Sequence, residues 1–169
     1  MGGLLTPALL LAAFSFLSSE EGGLLHQLVP HVEEAAYLSG ERQTLLLSIV
    51  ALESRGNAQA EARGSVWGAG QVSWRDWGLL LREEGVAQEA PDLLDPRDGT
   101  VGIGVVLQDL RKRYARRWPM RWRDHAVLCL YGHGRAALAF REGCDYSRRV
   151  LGLERRLQRE LVPMEVAVR

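Results

Sequence analysis

One glutamate stands where an acid catalyst could be built. The apolar run Leu45-Leu46-Leu47-Ser48-Ile49-Val50-Ala51-Leu52 ends abruptly at Glu53-Ser54-Arg55-Gly56-Asn57, and a Gly-rich passage, Gly64-Ser65-Val66-Trp67-Gly68-Ala69-Gly70-Gln71, follows. The run predicts a buried helix, over roughly Glu41 to Arg55, that delivers one carboxylate at its C-terminal end. A carboxyl group against apolar walls is disfavoured as an anion and keeps its proton toward neutral pH, which is what a general acid requires. The same residue type at a helix end also serves as an ordinary solvated surface group. Gln71 offers a donor and an acceptor on one side chain, and the glycines before it let backbone approach a ligand closely.

Other residues of chemical interest are few. Tyr131 and Tyr146 can face a site or fill a core. Trp67 can present a flat face to a sugar ring, whereas the spacing of Val72, Trp74, Trp77 and Leu79-Leu80-Leu81 places Trp77 in a core helix. Cys129, Cys144 and His133 match no zinc-ligand spacing; the two cysteines can form a disulfide in an oxidising compartment. No phosphate-binding loop, nucleotide fingerprint or Ser-His-Asp set is found, and neither a metal nor a cofactor is expected. The run from Arg111 to Arg123 mixes Arg, Lys, Tyr and Trp and invites a nucleic-acid reading. The solvated end of a helix explains it better, and attraction to an anionic cell wall is a third reading.

The residues around Glu53 resemble the catalytic segment of the soluble lytic transglycosylases of the goose-type lysozyme superfamily, whose pattern runs Glu-Ser, then Asn, then Gly-Leu-Met-Gln. Further matches follow in order: Leu94-Asp95-Pro96 and the helix opening near Gly99; Ala126 to Gly134 against the Tyr-Asn-Ala-Gly segment; and Tyr146-Ser147-Arg148-Arg149-Val150 against the closing helix. The resemblance covers roughly residues 43 to 155. It implies a mostly α, lysozyme-like domain that cleaves the β-1,4 bond between N-acetylmuramic acid and N-acetylglucosamine in peptidoglycan. Glu53 would be the acid, with Ser54, Gln71, Tyr131, Tyr146, Trp67 and His133 contacting substrate or positioning the acid. Two departures stand out. Gly70 occupies the family's Met position, and Gly132 replaces the Asn after the tyrosine, with His133 one residue further on as a substitute. A goose-type hydrolase is the alternative, with Glu61, Asp76 or Asp95 as a second carboxylate. A non-catalytic virion or envelope protein that keeps the fold is another, and a nucleic-acid module ranks last.

Elements must position these residues. The 169-residue chain is 47% apolar and has a net charge of zero, which suits one domain with a real core. The balance is uneven: residues 1–100 hold six basic and 14 acidic residues, and residues 101–169 hold 15 and seven. Lys112 is the one lysine, and no Lys or Arg precedes Arg42. The apolar stretch from Leu4 to Leu17 is too short to span a bilayer and lacks the positive flank of a secretory signal. It is read as a retained helix that packs on the domain, on a protein partner or against a membrane, with a cleavable signal as the other reading. Gly22-Gly23 is expected to break the chain before a helical pattern from Leu24 to Leu38 that Pro30 interrupts. Boundaries follow: 1–40 an N-terminal helical extension, 41–161 the catalytic domain, 162–169 a tail. Residues 56–70 are expected as loop with a small hairpin and 82–98 as loop. Helices are expected from Gly99 to Trp118, Ala126 to Leu130 and Tyr146 to Leu161. A virion or the bacterial envelope is the expected location.

Overall fold

A computed structural model of the chain describes residues 5–62, 64–139 and 143–167. Leu4, where the N-terminal apolar stretch begins, and residues 168–169 of the expected tail lie outside the described residues. The protein is mostly helical. Helices α1 (Pro7–Ala13), α2 (Ser19–Gln27), α3 (Val29–Ser39) and α4 (Gln43–Glu53) precede three two-residue strands, β1 (Glu61–Ala62), β2 (Val66–Trp67) and β3 (Val72–Ser73). Helices α5 (Trp74–Glu83), α6 (Pro96–Tyr114), α7 (Arg123–His133) and α8 (Asp145–Ala167) follow, with short 3-10 turns between them. Among these residues no helix is long and apolar enough to cross a membrane.

Helix α4 is the axis of the core. Every side chain from Leu45 to Ala51 is buried, because a helix that is apolar all round has no face to give to water. Helix α8 packs along it, α3 packs along α6, and α7 lies against both α6 and α8. Local punctuation agrees with this frame. Thr6 caps α1 with Pro7 at its first position, Ser18 and Glu21 form a capping box on α2, and α3 stops on left-handed Gly40, each satisfying backbone groups a helix end leaves bare.

Several expectations are refined or corrected. Of the readings open for the N-terminal segment, packing on the domain is the one seen in residues 5–40. Leu9, Leu10, Ala13 and Phe14 are buried in the same core as α4, and α1 packs on α2 and α8. Each such large side chain contributes roughly 1.5–3 kcal/mol on leaving water. Gly22 lies inside α2 rather than between helices: a Cβ there would meet the Leu11 side chain at 2.7 Å, so its absence lets α1 and α2 cross closely. Pro30, in the first turn of α3, separates α2 from α3, where it removes no helical hydrogen bond. Strands β1, β2 and β3 form an antiparallel meander, with Glu61 opposite Trp67 and Val66 opposite Ser73, so the expected small hairpin is present and gains a third strand. A 3-10 turn with buried Leu93 interrupts the expected loop at 82–98. Helix α8 continues to Ala167 and takes up most of the expected tail.

Candidate active site

Glu53 is the last residue of α4. The chain then reverses at once: the Ser54 N–H caps Val50, and Arg55 and Gly56 take positive φ angles of 54° and 86°. Gly56 lies so close to α2 that a Cβ would sit 2.4 Å from the Leu25 nitrogen. The helix therefore cannot run on, and its final carboxylate is presented at the edge of a groove of about 940 Å³. One wall is the meander and the start of α5. The other is the C-terminal half of α6, and the end of α7 closes the floor.

Burial pushes the Glu53 pKa up; the Tyr146 hydroxyl and the charge of Arg149 pull it part of the way back. The C-terminal end of a helix, where the backbone dipole is negative, opposes an anion as well. Tyr131 and Tyr146 are themselves held far above the ordinary phenol range, first by burial and then by the Glu53 charge, so both remain neutral donors. The Tyr131 hydroxyl donates to the Gly70 carbonyl at 2.7 Å. A Cβ on Gly70 would fall 2.9 Å from that hydroxyl and 2.2 Å from Ile103, so the residue standing where the family carries Met makes room for the tyrosine. The Tyr146 hydroxyl is buried beside the Glu53 carboxyl: near enough to influence it, yet without a hydrogen bond of normal geometry. The two rings stack at 6.4 Å and 22°.

No protein-family model and no curated protein matches the chain. Its chemistry is therefore read from the groove itself.

Of the residues singled out in the sequence, Glu53, Gln71, Tyr131 and His133 line the groove. Tyr146 lies behind them, and the His133 ring meets it edge-on at 6.3 Å. Gln71 takes a left-handed φ of 49° and donates through Nε2 to the carbonyls of Ala60 and Gly68, at 3.0 and 3.1 Å. It thus staples the meander through its amide nitrogen.

Two expected contacts are not brought to the groove. The Ser54 hydroxyl donates to the Val50 carbonyl at 3.2 Å. Trp67 packs on the core with its indole Nε1 buried and unpartnered. Trp77 packs against the core as expected and also lines the groove with its remaining exposed surface. Of the three proposed second carboxylates, Asp76 lines the groove, Glu61 is exposed on β1, and Asp95 accepts the N–H groups of Arg97 and Asp98 at the start of α6.

Asp109 was not singled out and lines the groove from α6. Its Oδ1 accepts from Arg113 at 2.8 Å, while Oδ2 is buried without a partner. The four-residue Asp-to-Arg spacing was visible in the sequence, but nothing there aimed the pair at Glu53. Among the described residues no group of three or more His, Cys, Asp or Glu could hold a metal ion.

The basic run is largely engaged within the protein. Arg111 pairs with Glu41 and Asp124, Arg113 with Asp109, and the Arg117 and Arg121 guanidinia lie over the Tyr114 and Trp122 rings. Cys129 and Cys144 form a disulfide.

Proposed function

We propose that this protein is a lytic transglycosylase with a lysozyme-like fold, cleaving the β-1,4 bond between N-acetylmuramic acid and N-acetylglucosamine in peptidoglycan. The observation that carries the reading is one carboxyl group, raised in pKa by burial, at the edge of an extended groove with two neutral tyrosines around it. Glu53 gives its proton to the glycosidic oxygen as the bond to the muramyl C1 breaks. The resulting carboxylate then takes the proton of the muramyl 6-hydroxyl as that oxygen bonds to C1, closing the anhydro ring and restoring the acid. One group does both jobs because the two proton transfers occur in sequence. Tyr131 and Tyr146 keep the surroundings uncharged, so the carboxylate formed midway is solvated by fixed dipoles rather than by water. Gln71 Oε1 is suited to accept the N–H of an acetamido group, and Trp77 offers an apolar face to a sugar ring. A disulfide agrees with action in a virion or the bacterial envelope.

The deciding experiment is the mass of the muropeptides released from purified cell wall. An anhydro end is lighter than a hydrated one by one water. Hydrolysis of goose-lysozyme type is the second reading, and it has an observation of its own: Asp76 and Asp109 both line the groove. An inverting hydrolase would need one of them roughly 6.5–9.5 Å from Glu53, across a water.

A further inference from the structure

Tyr146 is the second residue of α8, and its buried hydroxyl lies within electrostatic reach of Glu53 without a hydrogen bond of normal geometry to it. Three features of the surrounding chain bear on its place. The Cys129–Cys144 disulfide joins the middle of α7 to the residue just before α8, with 5.9 Å between the Cα atoms. Both sulfur-bearing residues are buried, Cys129 completely. Fully buried Ser147 ties the same corner: its Oγ accepts from the Cys144 N–H at 3.1 Å, donates to the Cys144 carbonyl at 2.9 Å and meets His125 Nδ1 at 2.9 Å. Gly132 then supplies the seat. A Cβ there would lie 2.9 and 3.0 Å from Cγ and Cδ1 of the Tyr146 ring, so only a residue without a side chain lets the ring lie flat on α7. Tyr131, one residue away, stacks on the same ring.

We propose that the Cys129–Cys144 disulfide and Gly132 act together as a positioning device for Tyr146, holding its hydroxyl against Glu53, so that the site is fully assembled only in the oxidised chain. The disulfide closes one side of the corner and the glycine opens the other. Neither touches a reacting atom, so both are positioning residues. A dithiol undoes the device with balanced chemistry. One thiolate attacks Cys144 Sγ and expels Cys129 as a thiolate that takes up a proton. The second thiol then closes a ring disulfide on the first and releases Cys144. Two electrons and two protons pass to the pair. The protein would therefore work where dithiols are scarce.

The idea rests on Glu53 as the acid, but its test needs no activity. The carboxyl carbon of Glu53 is titrated by NMR in the full chain carrying labelled glutamate, and Glu53→Gln identifies the signal. Tyr146→Phe removes the hydroxyl that pulls the Glu53 pKa down, so its titration moves upward. The pair Cys129→Ala/Cys144→Ala, and wild-type protein reduced by dithiothreitol, are expected to give the same upward move. Adding Tyr146→Phe to the cysteine pair is expected to add nothing, because all these changes remove one contact. Gly132→Ala, with the disulfide intact, is expected to shift the titration in the same direction.

An unmoved Glu53 titration in the folded cysteine pair, or additive shifts when the changes are combined, overturns the proposal. So does global unfolding on reduction, which makes the bond a plain stability element; an unchanged titration in Gly132→Ala removes the glycine's part. Failure of wall lysis by the wild-type protein would instead count against the transglycosylase reading and leave these titrations standing.

Discussion

The two ends of α4 hold buried or half-buried carboxylates under opposite regimes. At the N-terminal end Arg42 clamps Glu154 through Nε and Nη2, at 2.7 and 3.0 Å, and reaches Asp124 at 2.9 Å. Arg111 pairs with Glu41 and Asp124, and the Thr44 hydroxyl donates to Glu154. Burial pushes Asp124 up, but the two guanidinia outweigh it and its pKa falls below the ordinary range. At the C-terminal end Glu53 has no such clamp. Burial dominates, the Tyr146 hydroxyl and the Arg149 charge offset only part of it, and the carboxyl is biased toward its neutral form. The helix reinforces both outcomes, since its N-terminus favours negative charge and its C-terminus opposes it. Burial alone thus does not keep a carboxyl group neutral; burial without a paired arginine raises its pKa. The first end ties α4, α6, α7 and α8 together, and the second is left biased toward a neutral carboxyl.

The comparison is broken most forcefully by neutralising one end at a time. Glu53→Gln is nearly isosteric and removes the transferable proton. Wall lysis in a zymogram is expected to fall about a hundred- to ten-thousand-fold, the usual range for general acid–base catalysis, with the helical circular dichroism unchanged. Persistent clearing would take Glu53 out of the mechanism.

The opposite end should respond in stability instead. Arg42→Ala strands Glu154, whose side chain is 5% exposed, without its cation. Stranding a fully buried charge costs about 3–5 kcal/mol. Arg42 is itself about half exposed, and solvent screening cuts this to on the order of 2 kcal/mol. Urea titration would show it as a lower midpoint with an unchanged slope. Specific activity of the folded fraction should hold, and a selective loss of activity would mean that the two ends are not separate.

The other acids of the groove sharpen the contrast. Asp109→Asn and Asp76→Asn are each expected to lower the rate less than about tenfold, well short of a general acid–base loss, with anhydro products retained in the mass spectrum. A collapse equal to that of Glu53→Gln, in a folded variant, would make the reaction hydrolysis and leave the wall as substrate.

The smallest effect is a pH-dependent gain in stability. Because the folded protein holds Glu53 above its unfolded pKa, the stabilisation linked to its proton is present below the unfolded value and is lost as pH rises through the folded one. Glu53→Gln stays neutral throughout. Thermal melts should therefore nearly coincide near pH 4 and separate toward pH 8, with the variant the more stable. A gap that widens on acidification instead would show that the proton on Glu53 does not stabilise the fold.

Much of this was legible along the chain. An uninterrupted apolar run must be covered on all sides, so α4 had to be central and its last residue had to sit at the core's edge; Glu53 follows from that local fact. The helical periodicity of residues 101–110 and 150–161 likewise placed α6 and α8, and the glycines around Gln71 marked a tight return. Such patterns say which face of a segment avoids water but not what covers it. Hence the Leu4 to Leu17 stretch read as a helix packing on the domain, on a partner or against a membrane, and only the packing of α1 on α2 and α8 brings it into the core. For the same reason the sequence left Trp67 between groove and core, did not show that Trp77 also reaches the groove, and gave no sign that Asp109 does. Whether Cys129 meets Cys144, whether Gly132 seats Tyr146, and which carboxylates find an arginine depend on approaches of a few ångströms between residues up to 112 positions apart. A carboxyl group's charge state follows the sum of such short-range contacts and its burial, and that sum exists only once the helices have packed.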